Sequence, residues 1–201
     1  IDGRQVFQFG NAIKGGTEVA VHTLQDLAHR HNSRHITVSD DGKNTYNTTD
    51  RVRACNRTMQ QFPSTARWIH WFYGSPAMLV HGDDVVFAGE GALQGDPIGG
   101  RIHDTLFQDV LVETSKRTAR WAPNEHAHII AFRDDSYIVG KAAPALYGHG
   151  QLQIVREEMM NVEGSPDKFE AYVPHVTHPD AASHVLAELL VQVELGKGKA
   201  S

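Results

Sequence analysis

Residues 128–140, HIIAFRDDSYIVG, constrain the fold of this chain more than any other stretch. Two runs rich in aromatic and β-branched residues suit a pleated, half-buried surface, and a short polar step divides them. The pattern predicts a hairpin with Asp134 and Asp135 at its tip. Asp is at home in turns, so a plain acidic turn is one reading. A metal-binding carboxylate pair carried on the tip is the other. Asp83-Asp84, inside a second predicted hairpin over 77–88, serves as an internal control and reads as a turn alone.

Around these hairpins the apolar spacing predicts a helix from about Thr17, a strand over RHITVSDD, and a helix from about Asp50 to Gln61 that Pro63 closes. GALQGDPIGG is a glycine-rich loop opening a helix in which Ile98, Ile102, Leu106 and Val110 recur every four residues. A helix over roughly 143–160 follows, weakened early by Gly148 and Gly150. After it come a short strand, KFEAYV, and a last helix beyond Pro179 with Val185, Leu186, Leu189, Leu190 and Val193 inside. The order is α+β: an antiparallel sheet backed by helices.

At 201 residues and 40% apolar content the chain can bury one ordinary core. No apolar run reaches the length of a membrane span, and no signal peptide is visible at the start. The single cysteine, Cys55, leaves no internal disulfide and fits a reducing compartment. A net charge of −5 is not the footprint of a free-standing nucleic-acid binder. A start at Ile rather than Met reads as a fragment. Thirteen histidines include the pairs His29/His31 and His126/His128. Without a cysteine cluster or an HExxH motif these argue against structural zinc. His175 and His178 read as solvated turn residues.

The second acidic strand end is Asp40-Asp41, just before a polar loop. If its strand neighbours the hairpin, the carboxylates converge. Mg²⁺ takes hard oxygen ligands of this kind, and two ions roughly 3.5–4 Å apart can serve an attacking and a leaving oxygen. Close like charges themselves call for a cation.

Three strings in order, D41-G-K-N44-T-Y46-N47-T-T-D-R51, then G91-A-L-Q94-G95-D96-P97, then F132-R-D134-D135, resemble reverse transcriptase palm motifs. YGSPAMLV (73–80) and the segment 8–22 resemble further segments of the non-LTR retrotransposon enzymes, and K168-F-E-A-Y-V-P resembles the lysine motif that follows, so that the likeness spans about 8–175. The resemblance implies a polymerase palm with an RRM-like core over 35–175. It also implies a residual finger region over 1–34, and a C-terminal helix and tail over 176–201 cut before the thumb. It implies Asp41 and Asp134 as principal metal ligands with Asp135 in support, two Mg²⁺ ions (Mn²⁺ substituting), and Tyr46 under the sugar of the incoming nucleotide. Gln94 and Gly95 would lie against the template and the nascent base pair, and Lys168 would protonate the leaving pyrophosphate. The implied partners are an RNA template, a DNA primer, deoxynucleoside triphosphates and the parent's fingers and thumb. The implied location is intracellular, and nuclear if the parent is eukaryotic.

Two residues depart from the family pattern: Asp40 and Arg133 stand where apolar or small residues are usual. Strand alternation predicts both on the face away from the metals, where they would pair. An inactive reverse-transcriptase-like domain, kept for RNA binding or scaffolding, is the alternative reading. A palm-fold nucleotidyl cyclase is a third, with no place for the QGDP loop. A chain without fingers and thumb is expected to show little or no synthesis by itself.

Overall fold

In the computed structural model, which describes residues 6–10, 13–30, 35–93 and 95–173, the core is a five-stranded sheet in the order β1-β5-β6-β2-β7. Its strands are β1 (Val6–Gln8), β2 (His35–Asp40), β5 (Ala127–Phe132), β6 (Asp135–Lys141) and β7 (Glu170–Tyr172). The helices are α1 (Gly16–Arg30), α2 (Thr45–Thr48), α3 (Arg51–Gln61), α4 (Ala66–Tyr73), α5 (Gly99–Trp121) and α6 (Ala142–Met160). β3 (Ala77–His81) and β4 (Asp84–Ala88) form a separate two-stranded sheet.

Without β1, the remaining four strands and the helices between them run βαββαβ, with β2 and β6 central. This is the split-βαβ plan of an RRM-like core. Every pairing in it is antiparallel; only β1 adds to β5 in parallel.

Period-2 alternation decides the two faces of the sheet. Ile36 and Val38 of β2, Ile129 and Ala131 of β5 and Ile138 of β6 turn to one side, against Ile102, Leu106, Phe107 and Val110 of α5 and Leu152, Val155 and Met160 of α6. Each of these side chains larger than alanine contributes about 1.5–3 kcal/mol on burial. On the other side Ile130 and Val139 pack with Ala20 and Leu27 of α1. The four-residue spacing of α5 is thus a core stripe. α6 runs unbroken through Gly148, where a Cβ would lie 3.2 Å from the Thr118 hydroxyl of α5 and 3.6 Å from Ile138 of β6, so glycine suits the close packing of the three elements.

The 77–88 hairpin turns at Gly82-Asp83, and Asp84 begins β4, away from the five-stranded sheet. Among the described residues, β1, α2, α4 and two short 3-10 turns at Pro63–Thr65 and Pro166–Lys168 were not anticipated by periodicity. The expected helix after Pro179, together with His175 and His178, lies outside the described residues, as does the tail. No helix among the described residues is long and apolar enough to cross a membrane.

Candidate functional site

β2 and β6 pair from His35↔Lys141 to Asp40↔Ser136, so the end of β2 lies beside the β5–β6 turn. Asp41 leaves β2 at that end. Phe132↔Asp135 closes the turn, with Arg133 and Asp134 as its two central residues. Sequence spacing of more than ninety residues is thereby reduced to neighbouring strands. The two acidic stretches meet because one ladder carries both.

The electrostatics record this meeting. The Asp135 carboxyl is held above its ordinary value, first by partial desolvation and then by the negative charges of Asp134 and Asp41. The Lys168 ammonium forms an ion pair with Asp41 Oδ2, and this bond raises the lysine's pKa. Lys168 arrives there because Ser165 N–H donates to the Asp41 carbonyl (3.1 Å) and Lys168 N–H to the Ser165 carbonyl (3.0 Å). Among the described residues no three His, Cys, Asp or Glu side chains stand at a spacing that would hold a metal ion. The donors are nevertheless all hard oxygens, as Mg²⁺ requires, and a cationic side chain already sits on one of them.

Beside the acids lies a pocket of about 430 Å³ lined by Tyr46, Leu93, Gly95, Asp96, Arg133 and Asp134, among others. Tyr46 is on α2, with its ring stacked on buried His103 of α5 at 4.5 Å. His103 Nδ1 is in turn 2.9 Å from Asp104 Oδ1. Burial raises the Tyr46 pKa, against the opposing pull of Arg133. The loop before QGDP is fastened to α2: Ala92 N–H donates to the Tyr46 carbonyl (2.7 Å) and Gly91 N–H to the Thr49 carbonyl (3.0 Å). Gly91 has φ +68°, and a Cβ there would lie 2.3 Å from the Tyr46 carbonyl oxygen, so only glycine fits.

Arg51 completes the fastening, donating to the carbonyls of Gly91 (2.8 Å), Ala88 (2.8 Å) and Glu90 (2.6 Å). Asp96 Oδ1 accepts from Ile98 N–H (3.0 Å) and its other oxygen from the Tyr73 hydroxyl, so Asp96-Pro97 opens α5. Gly95, at φ +86°, has open space where a side chain would be. Gln94 lies outside the described residues.

The expected Asp40–Arg133 pair is not formed. Asp40 is buried on the helix side of the sheet as alternation predicts, but its partners are on α6. Arg156, itself fully buried, donates to Asp40 Oδ2, and His149 Nε2 stands 3.0 Å from Asp40 Oδ1. A second Arg156 nitrogen reaches the Asp41 carbonyl at 3.4 Å. Arg133 instead sits in the turn with φ +59°, where strand alternation no longer applies, and faces Tyr46. Arg156 had one sequence signal: a lone cation within the apolar stripe of α6.

No family model and no curated protein matches this chain. Solved structures do. Apo telomerase from Candida tropicalis, truncated from its C-terminal domain, superposes with a TM-score of 0.57 at 12% identity, over 84% of this chain and 36% of that one. Telomerase from Candida tropicalis in complex with a TWJ fragment of telomeric RNA gives 0.59 at 11%, over 87% and 31%. Telomerase from Candida albicans with a TWJ fragment gives 0.51 at 10%, over 81% and 31%. The chain spans about a third of the length of these telomerases and has a reverse-transcriptase-like fold.

Proposed function

We propose that this chain is the palm portion, over about 35–175, of a reverse transcriptase of the non-LTR retrotransposon kind. One observation supports the reading above the rest. The end of β2 and the β5–β6 turn bring Asp41, Asp134 and Asp135 near one another, and Asp134 lines a pocket that Tyr46 and Gly95 also line. The likeness of YGSPAMLV (73–80) and of the segment 8–22 to non-LTR enzymes supports that type.

In this reading Asp41, Asp134 and Asp135 would hold two Mg²⁺ ions, which would supply charge neutralisation for phosphoryl transfer. The primer 3′-oxygen forms a bond to the α-phosphorus of a deoxynucleoside triphosphate, the bond to pyrophosphate breaks, and the hydroxyl proton passes to water. Tyr46, braced by His103, leaves no room for a 2′-hydroxyl. Gly95 lets the backbone lie against the nascent pair. Lys168, kept protonated by Asp41, is a proton source for pyrophosphate once it swings away. The RNA template, primer and triphosphate would be gripped by fingers and thumb of the parent, and the RNA complexes of two structural neighbours accord with an RNA partner.

The Lys168–Asp41 ion pair favours a second reading, a non-catalytic domain that binds RNA or scaffolds. Calorimetric titration of Mg²⁺ separates the two, with primer–template and a non-hydrolysable deoxynucleotide present. The enzyme reading expects binding that Asp41→Asn and Asp134→Asn each abolish. Binding indifferent to both substitutions, or none even in the parent protein, supports the second.

A further inference from the structure

The β3–β4 and β5–β6 hairpins both turn through two residues, with a positive φ at the first. Gly82 opens the first at φ +61°, as glycine normally does; Arg133 opens the second at φ +59°. A bulky residue there is uncommon and strained by roughly 1–2 kcal/mol. A clamp holds it. The Gln8 side chain accepts from Arg133 N–H (3.1 Å) and donates to the Arg133 carbonyl (3.2 Å), while Gly10 N–H fixes the same Gln8 oxygen at 2.9 Å. A Cβ at Gly10 would lie 2.5 Å from Arg133 N, so the chain passes there only as glycine.

This backbone aims the guanidinium over the first turn of α5, where a Cβ at Gly100 would lie 2.6 Å from Arg133 Nη1, and into the pocket beside Asp134. The guanidinium forms no ion pair among the described residues. It lies against the Tyr46 hydroxyl, which is buried and has no directed hydrogen bond. An arginine can only donate, so the guanidinium adds N–H donors to a pocket whose own acceptors are the Tyr46 oxygen and the Asp96 and Asp134 carboxylates.

We propose that Arg133 is a nucleotide-binding residue, whose guanidinium and the Tyr46 hydroxyl together take an acceptor oxygen of the incoming deoxynucleotide, with Gln8 as its positioning residue. The inference rests on the nucleotide reading of this pocket. The oxygen belongs either to the phosphate chain or to the sugar 3′-position; both can accept, the first with a negative charge and the second without.

The test is calorimetric binding of a non-hydrolysable dATP analogue and its 3′-deoxy counterpart to the full chain, with Mg²⁺ and a primer–template. Arg133→Leu should weaken the dATP analogue by about tenfold or more, as expected for a charge-assisted hydrogen bond. Arg133→Lys should recover part of the loss, and Gln8→Leu should lose affinity with Arg133 still present. An Arg133→Leu loss that persists with the 3′-deoxy analogue assigns the contact to phosphate; one that disappears assigns it to the sugar. Unchanged urea midpoints for Arg133→Leu separate binding from folding. Undiminished or tighter binding by Arg133→Leu, while Asp41→Asn loses it, overturns the proposal and leaves the site reading standing. No nucleotide binding by the native chain, nor by the parent protein with its fingers and thumb, overturns both.

Discussion

Asp135 bears the electrostatic cost of the acidic tip. Its pKa is raised by desolvation and by Asp134 and Asp41, with Lys168 opposing. A carboxyl raised on folding takes up its proton more readily in the folded chain. Stability therefore falls as pH climbs from the ordinary value of 3.8 through the raised one. Asp135→Asn should accordingly stabilise the fold at pH values above the raised one and match the native chain well below 3.8. The gain should stay below about 1 kcal/mol, because the side chain is solvent-screened. Urea midpoints at three pH values check it, and a less stable variant at pH 7 would sink the argument.

At the scale of elements, β2 is tied to α6 by a buried charge. Asp40 is 1% exposed at its side chain and Arg156 is 0% exposed. Removing one member strands the other: Asp40→Leu or Arg156→Leu should each cost about 3–5 kcal/mol in urea unfolding. The double replacement should recover most of it, whereas adding Arg133→Leu to Asp40→Leu should rescue nothing. Additive losses for Asp40 and Arg156 would refute the coupling. The elements themselves were legible wherever a period was long enough to read, as in α5 with its four-residue stripe and in the β5–β6 hairpin. β1 was not, because three residues carry no period and its pairing is decided by Ile129, Ile130 and Ala131, far along the chain. α4 was hidden by its composition: RWIHWFY buries Ile69 and Tyr73 but leaves its other aromatic rings outside. The acidic convergence was legible in the motif strings. The partner of Asp40 was not, since alternation says which face a residue takes and says nothing of which helix covers that face.

Taken whole, the molecule keeps its apolar surface unevenly. The β3–β4 ribbon exposes Met78, Val80, Val85 and Phe87 on one face and Leu79 and Val86 on the other. α4 exposes Trp68, Trp71 and Phe72 as a packed aromatic group, with Trp71 74% accessible. A ribbon apolar on both faces invites association. The chain should sediment with increasing mass as concentration rises, and Val80→Lys with Phe87→Lys should suppress this while preserving the circular dichroism spectrum. A single mass at every concentration would contradict the expectation. The Gln8 clamp has a different reach, through time. Gln8 and Arg133 are 125 positions apart, so at roughly 5–20 residues per second a ribosome needs on the order of 6–25 s to supply the second after the first. For that interval the glutamine waits without its turn. The acidic tip takes its shape late in synthesis, from a piece that was made early.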